Sequence, residues 1–190
     1  MELILVFLGA ALVNNVVLSR SLGVTTLINE SDQLKSSFAI GVAVTLIMTL
    51  SAPFVFIIHN FILYPLGITY LNIIVLVLAI VSFVQLLGIL SKKILPALDK
   101  ILGASIPLIT LNGAVLGIIL LGVEQFGHSL LFTFSHAIGA GVGFTLVMVL
   151  FASIKERIQH NQISANFKGL PIAMITAGLL ALVFFGFTGL

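Results

Sequence analysis

The sequence predicts an all-α integral membrane protein, and three observations carry that prediction. Hydrophobic residues make up 60% of the 190-residue chain and charged residues 7%, whereas soluble domains carry about 25% charged residues. Apolar stretches of about 20 residues, long enough to cross a bilayer as helices, recur along the chain. Short polar connections between these stretches hold nearly all of the charge. A chain so poor in charge must face lipid, so we expect a single polytopic membrane domain.

Six stretches are expected to span the membrane: residues 3–23, 37–58, 69–90, 105–123, 129–153 and 169–189. The first, "MELILVFLGAALV", lacks the basic start of a signal peptide, so we expect it to be an uncleaved span. The connections "TTLINESDQLKSS", "SKKILPALDK" and "IKERIQHNQISANFK" are polar or basic. The intervening "HNFILYPLG" and "EQFGH" contain no Lys or Arg.

The basic residues predict the orientation. They fall in the first, third and fifth connections, and Arg20 is expected towards the same end of the first span; the others are Lys35, Lys92, Lys93, Lys100, Lys155, Arg157 and Lys168. The positive-inside rule makes that side cytoplasmic and places both termini on the other side. A docking surface for a soluble partner at these basic connections is a compatible alternative.

An internal repeat is also predicted. "NNVVLSRSL" (14–22) aligns with "NGAVLGIIL" (112–120) at an offset of 98, which also pairs "AIG" at 39–41 with "AIG" at 137–139. After a slip of two residues, "TLIMTL" (45–50) meets "TLVMVL" (145–150). Halves of about 1–98 and 99–190 would each hold three spans, so the second would be inverted relative to the first. Inverted repeats tend to place their site near the bilayer midplane, between discontinuous helices.

Spans one and four are the pair expected to be broken. "PLITLNGAVLG" contains Pro107 and Gly113, which disfavour a continuous helix. Freed backbone groups in lipid need polar partners, and the candidates are Asn14, Asn15, Thr110 and Asn112. The alternative is that these side chains only join helices, at about 1 kcal/mol per hydrogen bond. The residues alone leave both open, and the repeat favours a shared central site.

Several motifs carry a resemblance to a known family. These motifs are distributed along the chain, and the resemblance they carry runs over essentially its whole length: "LVNNVVLSRSLGV", "SSFAIGVAV", "IPLITLNGAVLG", "GAGVGFTLVMVLFASIKERI" and "FKGLPIAMITAGLLALVFFGFTGL". They resemble the Rnf/Nqr family of six-span subunits, nearest its A-type members. The resemblance implies a bacterial inner-membrane subunit, not catalytic alone, of a complex that couples electron transfer among NADH, ferredoxin or quinone to sodium or proton translocation. It also implies a homologous RnfE- or NqrD-like sister subunit of opposite orientation, with flavins and iron–sulfur clusters on partner subunits.

The chain departs from the family at two cluster-ligand positions. In the resemblance, one cysteine follows "LG-x" and the other follows "PLIT-x-N", where this chain has Thr25 and Gly113. Iron–sulfur clusters need Cys thiolates, or His in part, and this chain has no cysteine. We therefore expect the family's centre to be absent or altered, with no metal or cofactor held by this chain alone. The chain is then a natural member with a modified electron route, a paralogue (a solute or ion transporter, or a scaffold) without redox work, or an engineered cysteine-free version. The wider divergence of "SRSLGVTTLINESDQ" favours a natural sequence.

Other residues give weaker signals. A histidine within a span is a functional hypothesis by default, but His136 has no second ligand nearby in the sequence, which favours a packing role over metal binding. The glycines of "GAGVG" lack the nucleotide-loop spacing and predict close helix packing. The carboxylates lie near span ends, so no cation-carrier or hydrolytic arrangement is indicated, and the scattered basic residues exclude a nucleic-acid surface. Three further histidines are expected to be solvated in the connections: His59, His128 and His160.

Overall fold

The computed structural model describes residues 1–31, 33–94, 109–110, 112–159 and 164–189, and the regular elements among them are all helical. In chain order the α-helices are α1 (Glu2–Leu8), α2 (Val16–Arg20), α3 (Val24–Asn29), α4 (Leu34–Ile58), α5 (Asn72–Ile94), α6 (Gly113–Phe126), α7 (Leu130–Gln159) and α8 (Leu170–Phe185). Two π-helical turns extend α1 and α4, at Gly9–Val13 and His59–Leu63. Short 3-10 turns lie at Thr69–Leu71, Ala165–Phe167 and Gly186–Gly189.

Three helical stretches of the described chain are long and apolar enough to cross a membrane, namely Leu34–Leu63, Thr69–Leu90 and Leu130–Gln159. They correspond to the predicted second, third and fifth spans. The first, fourth and sixth spans contain shorter apolar helices, Glu2–Val13, Gly113–Phe126 and Leu170–Phe185. In spans one and four the backbone leaves the helical conformation at Asn15 and Asn112, so neither span is one continuous helix. Pro107 lies outside the described residues.

Two predicted connections contain more helix than expected. Helix α7 continues to Gln159 instead of ending near 153, because "IKERIQ" is made of good helix formers. The polar first connection contains α3, which begins directly after the turn at Gly23. Charged residues in these segments therefore show where the apolar part of a helix ends. The helix itself can continue beyond them.

Helices α4 and α7 cross at the centre of the molecule. A Cβ at Gly41 would meet Thr145, and a Cβ at Gly141 would meet Thr45, so each glycine accommodates the threonine of the other helix. The two threonine Oγ1 atoms are 2.9 Å apart and hydrogen-bonded. Because residue numbers rise on one helix as they fall on the other, α4 and α7 are antiparallel. The contact is reciprocal at an offset of 100, the offset at which "TLIMTL" aligned with "TLVMVL", whereas the "AIG" alignment paired Gly41 with Gly139 at an offset of 98.

The first span packs in parallel along the other side of α7. A Cβ at Gly139 would meet the backbone of Phe7, and a Cβ at Gly143 would meet the backbone of Ala11. At the start of α7, Ser135 donates a hydrogen bond to the Leu3 carbonyl at 2.8 Å. The "GAGVG" glycines therefore serve close helix packing on two faces of α7, as predicted.

Hydrogen bonds tie the connections together at each end. The Leu34 N–H donates to the Glu156 carboxylate at 2.8 Å, and the Lys155 ammonium donates to the Ile28 carbonyl at 2.9 Å. At the opposite end, the Asn60 amide donates to the Gly127 carbonyl at 2.9 Å. The first and fifth connections thus share one end of the molecule, and the second and fourth share the other.

Large apolar side chains cover much of the outer surface. They include residues of α5 and α8 that are more than half exposed: Ile73, Ile74, Leu78, Leu86, Ile89, Met174, Leu179, Leu182, Val183 and Phe185. Apolar surface this extensive is rare on soluble monomers and is stable against lipid. Together with the long apolar helices, it confirms the predicted all-α membrane fold.

Candidate functional site at the two helix breaks

The first span breaks at two consecutive asparagines. The π-helical turn ends when the Asn14 N–H bonds to the Gly9 carbonyl at 2.7 Å. Asn15 then leaves the helical conformation (φ −58°, ψ 116°) and caps α2, its Oδ1 accepting from the Val17 N–H at 3.2 Å. The Nδ2 of Asn15 donates back to the Ala11 carbonyl at 3.0 Å. One buried side chain therefore satisfies backbone groups on both sides of the break, as lipid surroundings require.

The second break has the same local geometry. Asn112 has φ −69° and ψ 119°, and its Oδ1 accepts from the Ala114 N–H at 2.8 Å, which caps α6. Asn15, 97 positions earlier, has the same conformation and the same type of cap, whereas the alignment at an offset of 98 paired Asn112 with Asn14. Asn14 itself is exposed, and Thr110 is buried.

The second break contacts the part of the first span that follows its own break. The Asn112 Nδ2 donates to the Thr26 Oγ1 at 3.2 Å, joining the start of α6 to α3. Gly23, at φ 80°, leads into α3 where an added Cβ would lie 2.9 Å from the Ala114 Cβ and 3.1 Å from the Phe144 ring. Only glycine combines that backbone conformation with so close an approach. Asn112 thus caps a helix and joins two helices, so both functions considered for it apply.

Contacts with α7 give the height of this site. An added Cβ at Gly143 would lie 2.8 Å from the Asn15 Nδ2, and Gly23 packs on Phe144. These positions lie at the middle of the 30-residue α7, which at 1.5 Å per residue is about 45 Å long. The tertiary structure therefore gathers both capped breaks at mid-height of the longest helix.

The two predicted ligand positions flank this contact. Thr25 is exposed and precedes Thr26, and Gly113 follows Asn112. A Cβ at Gly113 would have room, its nearest neighbour being the Gly23 nitrogen at 3.7 Å. Neither position carries a thiolate, and the described residues hold no group of three or more His, Cys, Asp or Glu side chains that could bind a metal ion. The residues present do not fit the iron–sulfur centre that the resemblance implies.

Two cavities lie on either side of the first break, and Asn14 lines both. One, of about 390 Å³, lies between span one, α6 and α7; its polar lining is Asn14, Arg20, Gln125 and His136. The other, of about 380 Å³, lies between span one and α8 and includes Asn15 and Ser19.

The position of Arg20 differs from the prediction. It was expected with the lysines at the cytoplasmic end. Instead it lines the first cavity together with Leu5 and His136, which lie towards the end of the molecule where α1 and α7 begin. The span breaks at Asn15, and α2 then brings Arg20 towards the end where α1 begins, before the chain turns at Ser21 (φ 56°). An ionisable residue inside a predicted span is itself a functional signal, and it could have identified Arg20.

The histidines differ from expectation in one case. His136 is buried and packs against Phe126, with ring centroids 5.4 Å apart, and its Nδ1 has no hydrogen-bond partner in the described part of the chain. His59 was expected to be solvated, but its Nδ1 is also buried, next to Gly127, and no described residue bonds to it. His128 is exposed as predicted, and His160 lies outside the described residues.

Comparison with known proteins gives a consistent result. A family model described as "Rnf-Nqr subunit, membrane protein" matches residues 3–190. A protein of Serratia proteamaculans, named as the A-type subunit of an ion-translocating oxidoreductase complex, is 44% identical over 189 residues, covering all of this chain and 97% of the relative. Proteins of the same name from Yersinia enterocolitica and Vibrio cholerae are each 42% identical with the same coverage.

Proposed function

The chain belongs to the Rnf-Nqr family of membrane subunits, and on that premise we propose that it is an A-type subunit, RnfA- or RsxA-like, of an ion-translocating electron-transport complex. Its full-length relatives are named as the A-type subunit of such an oxidoreductase complex. The observation that carries the proposal is the meeting of the two interrupted spans at mid-height of α7, where Asn112 at the second break bonds to Thr26 of α3. Such breaks place polar backbone at the depth where a membrane redox or ion site is needed.

In this role the chain supports and couples the redox reaction but does not catalyse it by itself. The complex would couple electron transfer among NADH, ferredoxin or quinone to sodium or proton translocation, with flavins and iron–sulfur clusters on partner subunits. The central polar residues Asn14, Asn15, Thr110 and Asn112 shape the break. Thr25 and Gly113 mark the family's former cysteine positions, so electrons must pass this subunit without its thiolates.

The partner we propose is an RnfE- or NqrD-like sister subunit of opposite orientation. The reciprocal contacts of Gly41 with Thr145 and of Gly141 with Thr45 support a related symmetry within this chain. They favour two inverted three-helix halves, about 1–98 and 99–190, forming one membrane domain of six spans. A scaffold with internal inversion is suited to pairing with an inverted homologue.

We place the protein in a bacterial inner membrane with both termini on the non-cytoplasmic side. Lys35, Lys155 and Arg157 belong to the first and fifth connections, which the Leu34–Glu156 hydrogen bond brings to one end. Basic residues favour the cytoplasmic side. Leu3 bonds to Ser135, near the other end of α7, so the N-terminal helix begins at the end away from these cations.

The first test is gentle solubilisation of the tagged protein from its native membrane, followed by mass spectrometry of what accompanies it. A sister subunit with flavin- and ferredoxin-like subunits is the expected result. Recovery of the chain by itself would contradict the proposal and would favour the second candidate, a solute or ion transporter or a scaffold. The polar cavity beside the first break is the observation that favours that candidate.

A second test restores the two thiolates. The double variant Thr25→Cys, Gly113→Cys in the purified complex should raise its iron and acid-labile sulfide content, since the sister subunit would supply the remaining ligands. The matched control places cysteines one turn apart on the exposed face of α8, at Leu179 and Val183. Equal iron content in both double variants would show that Thr25 and Gly113 are not the ligand positions.

A further inference from the structure

We propose that the cavity between span one, α6 and α7 binds a phosphate group, carried by a membrane phospholipid. The cavity holds about 390 Å³, which is within the range of small-ligand sites. Its polar lining consists of one guanidinium, one imidazole and two amides, and none of the described residues that line it is acidic. The composition is that of a site for an anion with an apolar body.

Arg20 supplies the charge. The residue is exposed and lines the cavity, and it forms no salt bridge or hydrogen bond with another described residue. A charged side chain at membrane depth requires a partner. The planar guanidinium matches phosphate through two parallel hydrogen bonds, a geometry that lysine cannot provide.

His136 lines the same cavity. It is 9% exposed, and its buried Nδ1 has no hydrogen-bond partner among the described residues. That nitrogen faces α6, because a Cβ at Gly122 would lie 3.1 Å from it. With no acceptor at Nδ1, the ring proton is favoured on Nε2, at the opposite edge of the imidazole, where it can donate to a phosphate oxygen.

The apolar lining favours a lipid over free phosphate. Leu5, at the rim of the cavity, is 63% exposed, and it lies on the outer surface of α1, where lipid chains pack. Val6, Ala10, Ile118 and Leu121 continue this surface inwards. A phosphate ester with attached acyl chains satisfies the cation and the apolar walls together, whereas inorganic phosphate satisfies only the cation.

The test measures phospholipid retained by the protein as purified, with whatever subunits accompany it. After stepwise delipidation, native mass spectrometry and ³¹P NMR of the extract should show one retained phospholipid per chain. Arg20→Gln should lower that occupancy at least tenfold, and Arg20→Lys should retain part of it. Arg157→Gln, the same change at an exposed arginine near the end of α7, should have no effect.

A second arm separates the two sources of phosphate. Delipidated protein is titrated with nanodiscs of phosphatidylglycerol and, separately, with inorganic phosphate, and thermal stability is recorded. Stabilisation by the nanodiscs alone supports the lipid, whereas equal stabilisation by inorganic phosphate overturns that source and leaves a free-anion site.

If Arg20→Gln does not fold, Arg20→Lys and His136→Phe carry the test, because both keep the packing volume. Equal retention in the wild-type protein and in Arg20→Lys and His136→Phe, or no retained phosphate at all, would overturn the proposal. Loss of a partner subunit from Arg20→Gln without loss of lipid would also overturn it, since a protein carboxylate would then be the counter-ion. Subunit composition is scored in the same preparations, so the result does not depend on the proposed function.

Discussion

Replacement of Asn112 by alanine tests whether the contact between the second break and α3 stabilises the fold. The change removes two interactions: the cap on the Ala114 N–H and the bond to the Thr26 Oγ1. Loss of an N-cap costs about 1 kcal/mol, and an interhelical hydrogen bond within a membrane contributes about 0.6 to 1.7 kcal/mol. We therefore expect the free energy of unfolding to fall by about 1.5–3 kcal/mol. Water cannot substitute readily, because Asn112 is 3% and Thr26 5% exposed.

The change Thr26→Val isolates the second interaction. It keeps the side-chain shape and the α6 cap but leaves the buried Asn112 Nδ2 without an acceptor, which costs about 1–3 kcal/mol. In the double variant that donor is absent. The double variant should therefore lose less free energy of unfolding than the sum of the two single losses, with a coupling of about 1 kcal/mol. The chain has no tryptophan, so unfolding in a dodecylmaltoside–SDS titration should be followed by circular dichroism at 222 nm. Strict additivity, or a loss below about 0.5 kcal/mol for Asn112→Ala, would refute the reasoning.

Two further predictions compare matched glycines. Gly143→Ala should lower the free energy of unfolding by about 1–3 kcal/mol, because the added Cβ would meet the Ala11 carbonyl and the Asn15 amide. Gly178→Ala should be neutral or should stabilise α8 by up to about 1 kcal/mol, because the added Cβ would have nothing within 4 Å. A similar loss of unfolding free energy in both variants, measured in the same titration, would show that helix propensity and not packing determines the effect. Gly23→Ala should cost more than Gly67→Ala, since both have positive φ (80° and 67°) but only the Cβ at Gly23 meets neighbours. Equal melting-temperature shifts for this pair would contradict close packing at the break.

Much of the fold followed from the sequence because lipid imposes simple rules. Long apolar runs, sparse charge and small residues each report local chemistry, and they predicted the membrane class, the long helices and the packing role of the "GAGVG" glycines. The need for polar side chains at breaks was also predictable. Which asparagine caps the helix could not be predicted, because Asn14 and Asn15 are chemically identical and only the backbone geometry shows that Asn15 is the cap of α2.

The sequence by itself determined that this chain is an all-α membrane protein with interrupted first and fourth spans and without any thiolate ligand. These properties depend on composition and on residues close together in the chain. Only the tertiary structure decided that Asn112 at the second break bonds to Thr26 of α3, that Gly41 packs on Thr145 and Gly141 on Thr45, and that Arg20 and His136 line one cavity. These outcomes depend on where a short helix turns at Ser21 and on which helix faces approach one another. Contacts between residues about 100 positions apart leave no local periodicity from which they could be predicted.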